Sequence, residues 1–359
     1  MRQVTIHIRA AALQHNLERV KQLAPKSKVV CMVKANAYGI GVQHAVQSFS
    51  HADAFGVACL QEALEIRQFC SNKPITLIEG IFSQDEMSIA IAHQCECVIH
   101  HQQQLDWLLE HQAAYLQAGL KVWVKLNSGM NRLGFKQNDI IAVIQQLKAL
   151  GFHCVLTMHF ANADEPNHPL NRQQIDQLLQ VKQACSPIEI SCCNSAAILN
   201  WADLHFDYVR PGIMLYGASP FATHSASELG LKSVMQFEAA IIAINTVKMG
   251  EHIGYGSTFT ASKNMTIAVV SIGYGDGYPR AFVQENFVAI HGKLVPVVGR
   301  VSMDMMTIDI SDIATEVTLD TPVELWGETR LVDDVATANG TIGYELLCRL
   351  TQRPKRLLR

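Results

Sequence analysis

From residue 11 to residue 210, short apolar runs alternate with segments of helical periodicity. The apolar runs are rich in β-branched residues and predict buried strands, whereas the amphipathic segments predict helices. The predicted strands cover Lys28–Val33, Ala54–Cys59, Pro74–Gly80, Cys95–His100, Leu120–Leu126, Phe152–Phe160, Pro187–Cys193 and Phe206–Arg210. The predicted helices cover Ala11–Ala24, Gln43–Phe49, Leu60–Cys70, Ser83–His93, Gln103–His111, Asn138–Leu150, Leu170–Ala184 and Ser195–Trp201.

Counted from Lys28, eight strands are each followed by a helix or a turn. This strict alternation is typical of the α/β class and predicts a (β/α)8 TIM barrel. A doubly wound sheet is the competing architecture. The first strand is not followed by a GxGxxG turn, which weakens a dinucleotide-binding version of that sheet.

After about Leu231 the chain becomes β-rich and is broken by Gly, Pro and Asn, with helical periodicity returning only in Tyr344–Leu350. We therefore predict a barrel domain over residues 9–230 and a second, mostly β domain over residues 231–359. The alternating segment Val4–Ile8 predicts a further strand, and residues 1–8 could join the second domain.

Composition narrows the class of protein. Hydrophobic residues make up 49% of the 359 and charged residues 17%, which argues against disorder. With 29 basic and 32 acidic residues the net charge is −3, so a nucleic-acid partner is not expected. Neither a membrane-spanning apolar run nor a signal-peptide core is present, the ten cysteines form no CxxC pair, and the histidines have no metal-site spacing. We expect a cytoplasmic protein without a metal.

Lys34 lies where the first barrel strand ends, just before Tyr38 and Gly39. Apolar surroundings lower the pKa of a lysine, and a neutral amine can attack an aldehyde. A solvent-facing lysine at a strand end is the ordinary alternative. The other strand ends carry His159, Asn194 with Ser195, and Arg210.

The carboxyl ends of barrel strands meet at one rim, where such folds place their active sites. Ser195 begins a helix, and Pro211, Gly212 and Ile213 follow the eighth strand, so backbone N–H groups could bind a phosphate there. An amine and a phosphate site on one rim suit pyridoxal phosphate, which has an aldehyde at one end and a phosphate at the other. Taken singly, Ser195 could be a helix cap, Arg210 a surface ion pair and His159 a core residue.

At these residues the chain resembles the alanine racemases. The motifs that carry the resemblance are, in chain order, VVCMVKANAYGIG (29–41), NSGMNRLGF (127–135), HFANADE (159–165), CNSAAIL (193–199), VRPGIMLYG (209–217), GYGSTF (254–259), GYGDGYPR (273–280), GRVSMDMM (299–306) and TIGYELLC (341–348). The resemblance implies a pyridoxal-phosphate-dependent isomerase built from a barrel and a β domain.

It also implies two catalytic residues. Lys34 resembles the lysine that bonds to the cofactor and acts on the α-proton of D-alanine, and Tyr255 resembles the base that acts on L-alanine from the opposite face. Each such acid–base group is typically worth ~10²–10⁴ in rate. Arg210 resembles the arginine bonded to the pyridine nitrogen. Because a guanidinium stays protonated, it would leave that nitrogen unprotonated and limit side reactions.

The remaining roles follow from the same resemblance. Tyr38, Tyr344, Ser195, Gly212 and Ile213 resemble a phosphate cradle, and His159 resembles the histidine beside the cofactor ring. Arg132 and Met303 resemble substrate-carboxylate contacts, and Tyr274 and Asp304 resemble residues at the site entrance. In the family Tyr255, Tyr274, Met303 and Asp304 come from the partner subunit, which implies a homodimer. A simple β-turn at GYGDGYP, or amphipathic packing of Tyr255 and Tyr344, is the bland alternative.

One departure from the family pattern lies before Arg132, where Asn127–Asn131 replaces the Asp-Thr-Gly-Met-Gly or -His of many relatives. This removes a carboxylate near Arg132. Lys125 matches a lysine that is carbamylated in some relatives. Since a lysine in a barrel wall must be neutralised or paired, carbamylation and simple pairing both stay open.

Two other functions are compatible with the scaffold. An amino-acid decarboxylase would carry a glutamate in place of Arg210 and a catalytic cysteine from the second domain. A non-catalytic pyridoxal-phosphate-binding protein would consist of the barrel alone. Within the racemases, serine or a broader substrate range stays open because one methylene is worth only ~1–3 kcal/mol in selectivity. The role could be D-alanine synthesis for peptidoglycan or D-alanine breakdown.

Overall fold

The computed structural model describes residues 2–280, 282 and 284–359. The strands are, in chain order, β1 (Val4–Ile8), β2 (Lys28–Met32), β3 (Ala54–Val57), β4 (Ile75–Leu77), β5 (Cys95–Ile99), β6 (Lys121–Lys125), β7 (His153–Thr157), β8 (Glu189–Cys193), β9 (Tyr208–Val209), β10 (Met235–Val247), β11 (His252–Ile253), β12 (Phe259–Thr260), β13 (Met265–Val270), β14 (Phe287–Ile290), β15 (Lys293–Pro296), β16 (Met306–Asp309), β17 (Pro322–Trp326) and β18 (Lys355–Leu358).

The helices begin and end within a few residues of the predicted segments. They are Ala10–Leu23, Val42–Ser48, Leu60–Arg67, Gln84–Ala92, Gln102–Glu110, Gln112–Gln117, Gln137–Ala149, Pro169–Cys185, Ser195–Asn200, Val332–Ala338 and Gly343–Cys348. Two of them are absent from the prediction. Gln112–Gln117 is a single short helix held by buried Tyr115, whose hydroxyl donates to the Lys121 carbonyl at 2.8 Å. The expectation that helical periodicity returns only near Tyr344 is wrong, because Val332–Ala338 precedes it.

Strands β2 to β9 form a closed barrel in which every neighbouring pair is parallel. The barrel closes where Lys28 and Val29 of β2 pair with Tyr208 and Val209 of β9. The predicted (β/α)8 barrel is therefore confirmed, and the doubly wound sheet is excluded. No helix in the described ranges is long and apolar enough to cross a membrane.

The end of the barrel opposite the carboxyl ends of its strands is filled by side chains of the strands themselves. Trp123 and Tyr208 pack there with small apolar residues from neighbouring strands. The Trp123 indole N–H donates to Glu96 Oε2 at 2.7 Å, while burial raises the pKa of the Glu96 carboxyl. Because this end is packed, a ligand can enter the barrel only from the carboxyl ends of the strands.

The second sheet follows the barrel and recruits the N-terminus. Long strand β10 pairs with β1, β13 and β17, and the sheet order is β15-β14-β17-β10-β1-β18. Strand β1 runs antiparallel to β10 and parallel to β18. The first strand of the chain thus belongs to the sheet built mainly from its last 125 or so residues. The mostly β character of the C-terminal part is confirmed, whereas the boundary between residues 230 and 231 stays a prediction.

The two parts meet where helix Gly343–Cys348 packs over the turn after β2. A Cβ on Gly39 would clash with the Leu347 carbonyl, so the backbones approach more closely than any other residue would allow. The Arg356 guanidinium donates to the Gly39 carbonyl at 2.7 Å. This contact brings Tyr344 to the barrel mouth, next to the turn that carries Lys34.

Candidate active site

A cavity of about 460 Å³ opens at the carboxyl ends of the barrel strands. Residues from β2, β6, β7, β8 and β9, together with helix Gly343–Cys348, contribute to its wall. It is lined by the predicted site residues Lys34, Tyr38, Lys125, Arg132, His159, Asn194, Ser195, Arg210, Gly212 and Tyr344. The folded chain therefore brings together side chains that are separated by up to 310 positions in the sequence.

Lys34 begins a left-handed turn. Residues 35–38 all have φ between +51° and +53°, although none is glycine. Left-handed backbone costs roughly 1–2 kcal/mol per L-residue, so surrounding contacts must hold this turn. One contact is Glu62, whose carboxylate accepts from Ala35 N at 2.7 Å and from Ala58 N at 2.8 Å. The sequence indicated a tight turn at Gly39, but not that it starts before the glycine.

A polar cradle lies where β2, β8 and β9 end. Ser195 Oγ accepts from Gly212 N at 2.9 Å and from Met214 N at 3.4 Å. A Cβ on Gly212 would clash with the Tyr38 hydroxyl, so only glycine leaves this hydroxyl in place. The Tyr38 ring stacks on Tyr216 at 4.4 Å, and burial raises the pKa of the Tyr38 phenol. The hydroxyls of Tyr38 and Ser195 thus stay protonated and can donate to an anion.

The other predicted cradle residues have different surroundings. The Ile213 side chain lies in the core rather than on the cavity wall. Asn194 Oδ1 accepts from Ala197 N at 3.0 Å and caps helix Ser195–Asn200. The ring of Tyr344 lies 6.2 Å from that of Tyr38, and burial raises the pKa of its phenol. Asn194 and Tyr344 line the cavity, whereas Ile213 could reach a ligand only through its backbone.

Arg210 is buried beneath the cavity without a carboxylate partner in the part of the chain that the structure describes. Its guanidinium donates to Ser191 Oγ at 2.5 Å, to Thr157 Oγ1 at 3.2 Å and to the Met158 carbonyl at 2.6 Å. The surface ion pair considered from the sequence is therefore excluded. Burial lowers the pKa of Arg210, yet a guanidinium still keeps its proton near neutral pH.

The cavity carries a strong excess of positive charge. Lys34, Lys125, Arg132 and Arg210 line it, whereas Glu79 is the acidic side chain on its wall. Lys125 is buried, and this burial, followed by the charges of Arg210 and Arg132, lowers its pKa to about 8. Burial, with the same cations, lowers the pKa of His159, which is therefore neutral at pH 7. Such a cavity favours an anionic ligand.

Four predicted residues lie elsewhere. Tyr255, Tyr274, Met303 and Asp304 are on the surface of the C-terminal part and do not line the cavity of their own chain. Tyr255 is 68% exposed and Met303 is 54% exposed, which is unusual for large apolar side chains. One chain therefore assembles the Lys34 side of the predicted site without the Tyr255 side.

The sequence reasoning missed four residues around the cavity. Glu79, Thr157 and Cys348 line it, and Glu62 holds the Lys34 turn. Positional signals existed for three of them. Glu79 follows the strand β4, Thr157 ends β7, and Cys348 lies one helical turn after Tyr344. For Glu62 no local signal exists, because it begins the helix after a different strand.

Comparisons with known proteins give the family of the chain. The family described as alanine racemase, N-terminal domain, matches residues 8–220, and that described as alanine racemase, C-terminal domain, matches residues 234–358. A protein from Psychrobacter sp. (strain PRwf-1) named alanine racemase is 46% identical, over 99% of each chain.

Solved structures give the same result. The alanine racemase from Acinetobacter baumannii superposes with a TM-score of 0.98 at 65% identity, and each chain is covered completely. The alanine racemase from Bartonella henselae, solved with covalently bound pyridoxal phosphate, has a TM-score of 0.90 at 27% identity, with 99% of each chain covered. The chain whose barrel mouth gathers Lys34, Arg210 and the Tyr38 cradle therefore belongs to the alanine racemase family.

Proposed function

We propose that this protein interconverts L-alanine and D-alanine with pyridoxal phosphate as its cofactor. The observation that carries the proposal is a single cavity that holds both an amine, Lys34, and a hydroxyl cradle of Ser195 and Tyr38 beside Gly212. Membership in the family and the cofactor of the Bartonella relative support it. When bound, pyridoxal phosphate would supply an aldehyde for the amino group of alanine and a ring that makes the Cα proton acidic.

The cradle would hold the phosphate. Ser195 and Tyr38 each carry a hydroxyl proton, and Tyr344 adds a third hydroxyl at the barrel mouth. Because Gly212 has no Cβ, the Tyr38 hydroxyl can lie against its backbone at this site. The backbone N–H of Ile213 would extend this site, while the Gly212 N–H donates to Ser195 Oγ and holds that hydroxyl in place. His159, which is neutral, would lie against the cofactor ring without adding charge.

Arg210 would donate to the pyridine nitrogen. Its three protein acceptors, two hydroxyls and a carbonyl, orient the guanidinium without neutralising it. Because the guanidinium keeps its proton, it would leave that nitrogen unprotonated. We infer that this restricts the reaction to proton exchange at Cα. This residue also argues against the decarboxylase alternative, in which a glutamate would stand here.

Racemisation requires one base on each face of the Cα atom, since a single base returns the proton to the side from which it came. We assign the base for D-alanine to Lys34 and the base for L-alanine to Tyr255. The exposure of Tyr255 favours its use by a second copy of the chain. Tyr274, Met303 and Asp304 would enter the neighbouring cavity with it, giving a homodimer with two composite sites. The second sheet would then have a catalytic purpose, unlike in the non-catalytic barrel alternative.

The substrate carboxylate would contact Arg132 and the backbone N–H of Met303. Lys125 lies beside Arg132, and its lowered pKa leaves a fraction of neutral amine near pH 7 that can react with carbon dioxide. A carbamate at Lys125 would supply the negative charge that Asn127 and its neighbours lack. We place the enzyme in the cytoplasm, where it would make D-alanine for peptidoglycan or break it down.

Incubation with L-alanine in D₂O tests the proposal. D-alanine with deuterium at Cα is the expected product. Deuterium at Cα of L-alanine without D-alanine would mean that Tyr255 exchanges the proton on its own face, but that Lys34 does not return a proton on the other face. If a protein that binds the cofactor incorporates no deuterium, the non-catalytic alternative or another amino-acid substrate is favoured. Tyr255→Phe is the matched variant, and it should lower racemisation by ~10²-fold or more while cofactor absorbance stays unchanged.

A further inference from the structure

Two loops of the C-terminal part lie against each other as one unit. We call residues 273–277 and 302–304 the loop pair. Tyr274 N donates to the Ser302 carbonyl at 3.1 Å, and Gly275 N donates to the Met303 carbonyl at 2.9 Å. A Cβ on Gly273 would clash with the carbonyls of Ser302 and Met303. Tyr274, Met303 and Asp304, three of the four residues assigned above to a neighbouring copy, are therefore on one structural unit.

A buried carboxylate lies at the centre of the loop pair. Asp276 is completely buried, and its Oδ2 accepts from Gly273 N at 3.0 Å. Arg2 binds both carboxylate oxygens, at 2.6 and 2.7 Å. Arg353 Nε approaches Asp276 Oδ1 at 3.4 Å from another direction. A bidentate arginine–carboxylate pair is among the strongest polar contacts in proteins, and a buried carboxylate needs such partners.

The same two arginines continue to Asp304. Arg2 Nη2 donates to the Asp304 carbonyl at 2.9 Å, and Arg353 Nη2 donates to Asp304 Oδ1 at 2.6 Å. Each guanidinium thus bridges the two loops. Arg2 precedes β1 and Arg353 precedes β18, and these two strands pair in parallel. The two ends of the chain are therefore tied to the loop pair from one side.

We propose that Arg2, Asp276 and Arg353 form a clamp that positions the loop pair for catalysis. The inference rests on the proposed function, in which Met303 and Asp304 serve a neighbouring cavity. The three clamp residues are positioning residues, because they hold the loops and leave Tyr274 and Met303 exposed. Tyr255 and Lys34 lie outside the loop pair. Loss of the clamp should therefore weaken substrate binding more than it slows proton transfer.

The variants Arg2→Met and Arg353→Met test the clamp in the cofactor-loaded enzyme. Both arginines are partly exposed, at 31% and 43%, so neither substitution opens a buried cavity. Arg353→Met also leaves Asp276 with its bidentate partner Arg2, so this variant tests the clamp even if Arg2→Met fails to fold. Arg353→Lys keeps the charge next to Asp304, and Arg349→Met removes a surface arginine that pairs only with Glu345 in the described structure. Each variant is measured for kcat and KM with L-alanine, for amide hydrogen exchange and for its mass in solution.

We expect each methionine variant to raise KM about tenfold, with kcat within about threefold of wild type, since losing a charge-assisted hydrogen bond is worth about one decade. Amides of the loop pair should exchange about tenfold faster. The KM of Arg353→Lys should lie between those of Arg353→Met and wild type. Arg349→Met should equal wild type in both KM and amide exchange.

If wild type is active but the methionine variants change neither KM nor the amide exchange of the loop pair, the clamp is overturned and the proposed function is not. A matching fall in kcat, or dissociation of the dimer in place of faster exchange, would also overturn it, because the arginines would then serve the interface. An inactive wild-type enzyme would instead overturn the proposed function, and the clamp's catalytic role with it.

Discussion

Replacing Lys125 by methionine should stabilise the protein at neutral pH. Lys125 is buried, and its Nζ has neither a hydrogen-bond nor an ion-pair partner among residues 2–280, 282 and 284–359. Methionine has a similar length and carries no charge. The variant would therefore remove a buried cation from beside Arg210 and Arg132 without opening a cavity.

The magnitude follows from the pKa of Lys125, which falls from 10.5 to about 8 because of burial and then the two arginines. That difference corresponds to about 3 kcal/mol of unfavourable free energy for the charged form in the folded state. Below pH 8 the lysine is charged in both states, and the cost is complete. Between pH 8 and 10.5 the unfolded chain binds more protons, so wild-type stability rises with pH. Above pH 10.5 the cost disappears.

The assay is the urea midpoint of both proteins, measured with the cofactor at pH 7, 8, 9 and 10 in buffer free of carbon dioxide. The exposed Lys263→Met variant is the control for losing a surface charge. Lys125→Met should be the more stable protein by up to ~3 kcal/mol at pH 7, and this difference should shrink toward pH 10. A less stable variant, or a difference that does not change with pH, would refute the reasoning.

Bicarbonate adds a second comparison. The neutral amine of Lys125 attacks carbon dioxide, an N–C bond forms, and a proton leaves to solvent. The resulting carbamate is negative and would pair with Arg132, so bicarbonate should stabilise wild type and leave Lys125→Met unchanged. If bicarbonate affects both proteins equally, Lys125 is not the site of carbamylation.

Three further predictions concern the site and its support. Gly212→Ala places a methyl group against the Tyr38 hydroxyl, and we expect a loss of about 1–3 kcal/mol in thermal stability together with weaker cofactor binding; an unchanged melting point would contradict the clash. Glu62→Gln replaces one carboxylate oxygen by an amide NH₂, so the backbone N–H of Ala35 or that of Ala58 loses its acceptor. We expect kcat/KM to fall about tenfold and hydrogen exchange at Ala35 to accelerate. Normal exchange at Ala35 would argue against the support of the turn by Glu62. Burial raises the pKa of Asp333 to about 6, so its contribution to stability is lost as pH rises from 3.8 to about 6. Asp333→Asn should therefore add up to about 3 kcal/mol at pH 7 and little at pH 3.5, as measured by urea unfolding.

The hydrophobic pattern determined the barrel. Each strand is a short apolar run and each helix has its own periodicity, so neighbouring residues suffice to predict both. Parallel strands place their carboxyl ends at one rim, and this is why Lys34, His159, Ser195 and Arg210 could be expected in one cavity before any contact was known.

Only the tertiary structure decided the contacts between distant segments. The pairing of β1 with β18 joins residues about 350 positions apart, and Arg2 reaches Asp276 across 274 positions. The left-handed turn after Lys34 also depends on distant segments. Its non-glycine residues would not adopt this conformation without Glu62 and the helix over Gly39. Periodicity reports the environment of a residue along its own element. The partner of that residue depends on how all elements pack together, which no local stretch of sequence contains.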